Sequence, residues 1–244
     1  MSQKSILESL ISAKPLLTAA DLRAAGIHRQ AVARAVADGL IERVADGVYR
    51  SADAIGDERA ELAAAVPDAV VCLLTASVHW DLIDQVPTQI WVGVPHAMSR
   101  PPQSIGNVEL RVVRWRDPDQ FTIGVETVDV ADPMTGNPYG RFRVTGRART
   151  VVDLVRHDAI AGSDLGVVAF GQYVRDGHDL DELQDMAERL LRGQDLAKIN
   201  EWAELARNGG PGGAFSGATA ATTNQFTILP GQVGDSSYLA VMYG

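Results

Sequence analysis

A single cysteine among 244 residues leaves no disulfide framework and no cysteine-based metal site. Cys72 lies in the apolar run Val70-Val71-Cys72-Leu73-Leu74 and reads as a small core residue. No window approaches about 18 consecutive apolar residues, so no membrane-spanning helix is expected. The first residues carry no long apolar stretch of the signal-peptide kind. The histidines (His28, His79, His96, His157 and His178) are scattered without metal-ligand spacing. There is no phosphate-binding glycine loop, no Gly-x-Ser-x-Gly and no two-metal acidic cluster. These absences predict a cytoplasmic protein with no catalytic residues, metal or cofactor.

What is present is an ordinary globular composition, 46% hydrophobic and 22% charged, long enough for two domains. The net charge of −9 argues against nucleic acid, but its distribution does not. Residues 1–50 hold seven Lys/Arg against five Asp/Glu, a charge of +2, and the remainder hold 15 against 26, a charge of −11. A weakly basic head on an acidic body fits DNA contact by the head alone, through few phosphates.

The head reads as helix, capped helix, glycine, helix, glycine and hairpin. Ile6, Leu7, Leu10 and Ile11 predict a helix over about Ser5–Ala13, ended by Lys14-Pro15. Thr18-Ala19-Ala20-Asp21 has capping-box spacing for a second helix, which Gly26 stops. A third, about Arg29–Asp38, places Val32, Ala35 and Val36 inward and Gln30, Arg34 and Ala37 outward. After Gly39 the period changes to two, with Leu40–Val44 and Val48–Arg50 as strands about an Asp46-Gly47 turn. This is a winged helix-turn-helix. His28, Arg29, Gln30 and Arg34 are the predicted DNA-binding residues of the recognition helix, Gln suiting adenine and Arg guanine. Arg43 and Arg50 are the predicted phosphate contacts of the wing.

The run Leu17–Ile27, followed by Gly39–Val44 and Gly47-Val48-Tyr49-Arg50, resembles the N-terminal domain of the AbiEi-like antitoxins of bacterial type IV toxin–antitoxin systems. His28 stands where that family often has serine. Leu74–Leu82, with Pro87, Ile90, Val92 and Pro95, and Val144–Leu154 resemble its C-terminal domain. The resemblance implies a repressor of its own operon whose C-terminal domain counters a nucleotidyltransferase toxin, without need of a stable complex.

The body, 53–207, reads as mixed α/β, giving an α+β protein overall. A helix is expected over 51–66, then a short helix capped by Thr75 or Ser77. Strands follow at Gln89–Val94, Val108–Trp115, Thr122–Val130 and Phe142–Val144, the last before another helix. Further helices are expected near Gly162–Arg175, Leu180–Leu191 and Asp195–Arg207. Trp80, Trp91, Trp115 and Trp202 are read as core or interface. His79 and Asp81 are read as surface or capping residues. Arg111, Arg114, Arg141, Arg143, Arg147 and Arg149 form either a second basic patch or a strand edge paired with Asp117, Asp119 and Asp153. Residues 208–244 are a Gly/Ala/Thr-rich tail without Lys or Arg. It reads as a tether to a docking strand, a fused or frame-shifted end, or a degradation signal.

Three functions remain open at this point. One is a non-enzymatic repressor and antitoxin reading an inverted-repeat operator. The others are the winged-helix accessory domain of a nucleic-acid-processing enzyme and a protein-interaction adaptor.

Overall fold

Apolar side chains at helical spacing set the first element. In the computed structural model, whose described residues are 2–85, 87–162 and 164–209, Leu7 is the buried centre of α1 (Gln3–Ala13). Lys14, before Pro15, ends it with an extended backbone. The next residues form a strand that the sequence reading did not contain, β1 (Leu16–Thr18).

Thr18 also caps α2 (Ala19–Ala24). Its hydroxyl accepts from the Asp21 N–H, and the Asp21 carboxylate accepts from the Thr18 N–H at 2.7 Å, the predicted reciprocal box. Gly26 then takes φ +71°, a left-handed turn closed to side chains with a Cβ. The recognition-type helix is α3 (Arg29–Ala37), with Val32 and Ala35 buried. Val36 was expected inward but is 37% exposed. It lies about 70° round the helix from the midpoint of Val32 and Ala35, at the rim of the core. The hairpin is β2 (Ile41–Ala45) and β3 (Val48–Ser51), and β1 joins it to give an antiparallel sheet of order β1-β3-β2. Leu7, Leu17, Leu22, Ile27, Val32, Ala35 and Ile41 fill the space between sheet and helices.

The helix expected from Ser51 begins later, as α4 (Glu58–Ala65), where the Asp57 carboxylate accepts from the Arg59 and Ala60 N–H groups. This helix joins head to body. Leu16, Val44 and Val48 of the head share one buried cluster with Ala60 of α4 and Tyr139.

The body is built from β4 (Val70–Val71), α5 (Leu73–His79), β5 (Ile90–Pro95), β6 (Ser104–Ile105), β7 (Val108–Trp115), β8 (Val125–Ala131) and β9 (Pro138–Thr145). Its six strands run in the order β6-β7-β5-β4-β9-β8. The β5/β7 and β4/β9 pairs are parallel and the others antiparallel. Alternation along β5 sends Ile90, Val92 and Val94 to one face, against Leu62 of α4. Trp91 goes to the other face with Trp115. Gly93 permits that packing: a Cβ there would lie 2.6 Å from the Trp115 ring. Trp80 and Trp202 pack at the margin of the same core, and Cys72 is buried within it.

α5 corrects its predicted start. Neither Thr75 nor Ser77 caps it; its N-cap is Cys72. The Thr75 hydroxyl instead accepts from the Trp91 N–H at 2.8 Å, and Ser77 donates to the Leu73 carbonyl at 2.7 Å. Leu73 and Asp81, at either end of this segment, have φ of +48° and +56°, a region that costs an L-residue about 1–2 kcal/mol.

The helices after the sheet are α6 (Arg147–Arg156), α7 (Asp158–Ala161), α8 (Leu165–Arg175), α9 (Leu180–Leu190) and α10 (Gly193–Gly209). All residues from Ala148 to Val155 are buried, so α6 lies inside except at its two terminal arginines, packed against α8 and α9. Phe170, before the Gly177 turn, and Leu183 and Met186, after it, share the same core cluster. The apolar runs Phe226–Leu229 and Tyr238–Tyr243, and all but the first two residues of the expected tail, lie outside the described residues.

Candidate nucleic-acid interface

Opposite the Val32/Ala35 face, α3 presents Gln30, Ala33, Arg34 and Ala37. All four are exposed, at i, i+3, i+4 and i+7. Arg29 is exposed at the first helical position. His28 is exposed as the N-cap residue but gives no side-chain cap. A residue from α1 does that work. Gln3 donates from Nε2 to the Gly26 carbonyl at 2.8 Å, and its Oε1 accepts from the His28 N–H at 3.1 Å. One amide thus holds both sides of the turn between α2 and α3. No sequence motif marks it, because its partners lie 23 and 25 residues away.

The head's cations are unequally available. Lys4 pairs with Glu8, Lys14 with Asp21, Arg43 with Asp46, and Arg50 with both Glu42 and Glu61. Among the described residues, Arg23, Arg29 and Arg34 are the head's cations without a carboxylate partner, and Arg23 donates back to the Ala19 carbonyl. The two wing arginines therefore differ from their sequence reading. Arg43 is exposed but folds onto Asp46 and the Ala45 carbonyl. Arg50 has a side chain only 24% exposed and turns toward the body. Burial alone would lower its pKa, but Glu42 and Glu61 overcome this and raise it, so the guanidinium stays charged.

Burial would raise the Asp21 carboxyl, but hydrogen bonds from Thr18 and the neighbouring Lys14 ammonium outweigh it and hold it below its ordinary value of 3.8. A depressed folded-state pKa contributes stability that is complete above the unfolded value and lost as pH falls through the folded one. Asp21→Ala is expected to destabilise the protein by about 1 kcal/mol at pH 7. The gap from the parent should narrow as the pH falls below the ordinary value of 3.8 and the folded-state carboxyl takes up its proton. Urea titrations of both proteins at pH 7 and pH 3 check this, and a gap that widens in acid would refute the assignment.

The six arginines of the predicted second patch do not converge. Arg111 and Arg114 lie on β7 at an odd spacing and project from opposite faces. Arg114 donates to the His96 and Met98 carbonyls at 2.9 and 2.7 Å, and Arg111 lies over the Trp91 ring. Arg143 binds the Phe121 carbonyl, and Arg147 lies over Trp80. Arg141 stays exposed, 3.9 Å from Asp129. Arg149 is 1% exposed and buried against Asp153. A strand places alternate residues on opposite faces and a central helix buries its own, so proximity in sequence made no patch here.

His79 meets the Trp80 ring at a tilt and the Phe142 ring edge-on, and accepts at Nδ1 from Arg59 at 3.2 Å. Burial, then the Arg59 charge, push its pKa down, so the ring is neutral. Among the described residues no group of three or more His, Cys, Asp or Glu side chains is placed to hold a metal ion. Nor, among them, is any helix long and apolar enough to cross a membrane.

Comparison with known proteins agrees with this picture of the head. The RV2827C protein from Mycobacterium tuberculosis has a similar fold, with a TM-score of 0.52 at 17% identity over 93% of this chain and 83% of that one. No curated protein matches the sequence. Residues 5–52, the segment that carries the helix-turn-helix and its wing, match the family described as transcriptional regulator, AbiEi antitoxin.

Proposed function

We propose that the chain is a DNA-binding repressor of its own operon and the antitoxin of a type IV pair, its counterpart being a nucleotidyltransferase toxin. The observation that carries the DNA part is the outer stripe of α3. It is unobstructed, and it displays Arg29 and Arg34 free of carboxylates while the wing arginines are engaged. In this reading residues 1–52 are the DNA-binding domain and 53–207 carry the antitoxin activity. The protein works in the cytoplasm and needs neither cofactor nor stable toxin complex. The operator is an inverted repeat bound by two copies. One head has too few free cations for tight binding, since each neutralised phosphate contributes roughly 0.9 to the logarithmic salt slope.

A mobility shift on the chain's own upstream DNA tests the reading. The parent should shift it at low salt, and Arg34→Ala should weaken binding by about tenfold or more. A parent that shifts no upstream fragment at 50 mM salt would remove the proposal. The antitoxin half predicts a nucleotidyltransferase in the neighbouring reading frame and is tested by co-expression with it. Growth rescue is expected, and absence of rescue counts against it.

A further inference from the structure

The outer face of α3 holds more than two hydrogen-bonding side chains, and its composition indicates what sequence it reads. Ala33 and Ala37 are both exposed and alternate with Gln30 and Arg34 along one stripe. On a solvated helix surface exposed alanines need no explanation. Here Ala37 lies diametrically opposite the midpoint of the buried Val32 and Ala35 and Ala33 about 130° round from it, both on the side where the helix would meet a groove floor. With only methyl groups between them, Gln30 and Arg34 can bring the helix close to the base edges. A methyl group on that side is also the natural apolar contact for the C5-methyl of thymine.

Spacing then fixes the register. Gln30 and Arg34 are four residues apart, about 6 Å along the helix. Base pairs rise about 3.4 Å, so the two side chains meet bases roughly two steps apart. The orientation follows from charge. His28 and Arg29 stand at the N-terminal end of α3, where the helix dipole is positive, and Asp38 and Glu42 stand beyond its C-terminal end. The N-terminal half is therefore the one that faces the phosphates.

We propose that α3 recognises a three-base-pair core in which an adenine read by Gln30 and a guanine read by Arg34 are separated by one base pair, and in which Ala33 packs on a thymine methyl group. This rests on the DNA-binding reading given above and adds the sequence class of its target.

The experiment is selection of bound duplexes from a randomised library by the full chain at low salt, followed by affinity measurements on the selected site. The selected core should contain the adenine and the guanine at that spacing. Replacing its thymine with uracil should weaken the parent by about fourfold, the loss of one buried methyl group. Gln30→Ala should free the adenine position and Arg34→Ala the guanine position, each removing roughly tenfold discrimination. Ala33→Gly should abolish the difference between thymine and uracil. The uracil measurement on the unmodified protein stands even if a variant folds poorly. A definite selected site that is indifferent to uracil and unaltered by both the Gln30 and Arg34 variants would overturn the core assignment and leave DNA binding standing. Failure to retain any duplex would overturn both.

Discussion

Asp153→Ala is expected to destabilise the protein by about 3–5 kcal/mol, on the order of 10 °C in melting temperature for a chain of this size. Asp153 is 2% exposed and Arg149 1%. The two sit one turn apart on the buried stretch of α6, with Arg149 Nε donating to the Asp153 carboxylate at 2.9 Å. The same guanidinium donates from Nη1 to the Ile123 and Gln120 carbonyls at 2.6 and 3.3 Å and lies over the Trp115 ring. Its Nη2 has no hydrogen-bond partner among the described residues. Removing the carboxylate would leave a cation in the core with carbonyl dipoles and one aromatic face in place of a counter-charge. The pair itself is another matter, because desolvating two ions offsets most of their attraction. Arg149→Met with Asp153→Leu should therefore recover much of what Asp153→Ala loses, less the two carbonyls left without a donor. Thermal melts of the parent and the two variants decide it. A single variant as stable as the parent would show that Arg149 finds another partner, and a double variant no better than the single would refute the charge argument.

Glu61→Ala should cost about 2–4 kcal/mol, and its effect should reach beyond global stability. The Glu61 carboxylate is 1% exposed and is shared by two donors from different parts of the chain. Arg50 Nη1, at the base of the wing, donates at 2.9 Å, and the Tyr139 hydroxyl, on β9, at 2.6 Å. Burial, then the hydrogen bond to Glu61, raise the Tyr139 pKa, so this phenol remains a donor. The loop beside them is shaped to the contact: a Cβ at Gly56 would lie 2.0 Å from Arg50 Nη1 and 2.7 Å from the Glu61 carboxylate. Without Glu61, Arg50 keeps only the more exposed Glu42, and the Tyr139 hydroxyl is buried without an acceptor. Amide hydrogen exchange should then accelerate across Val48–Ser51 more than in α9, which lies far from the site. Uniform acceleration would mean that Glu61 supports the whole fold and not the wing in particular.

Much of the head was legible because its signals are local. The Thr18–Asp21 box, the glycines at 26 and 47 and the change of period after Gly39 each act within a few residues, and each appears where the sequence placed it. β1 and β6 went unread because strands of three and two residues carry too little alternation to register. The start of α5 was misplaced because Leu73 enters the helix at a positive φ that its side chain does not announce. The outward placement of the α3 side chains was legible, and the engagement of the wing arginines was not. A sequence reveals that Arg43 and Arg50 are cations, but not that Asp46 and Glu61 already hold them. Gln3 could not be found at all, since its role depends on a turn more than twenty residues away.

In the proposed two-copy operator complex, the cluster of Leu16, Val44, Val48, Ala60 and Tyr139 would set the distance between neighbouring molecules. A head on a loose tether could sit on half-sites at many separations. This head is instead packed on the body, because the back of its wing is buried against Ala60 of α4 and Tyr139 of β9. Whatever angle α3 adopts in a groove, the six-stranded body follows in a fixed bearing, and the Asn137 amide of its β8–β9 loop is anchored to the Ser12 carbonyl at the end of α1. Two copies bound as proposed would then stand apart by the girth of their bodies, so inserting half a turn of DNA between two half-sites would turn one body to the far side of the duplex.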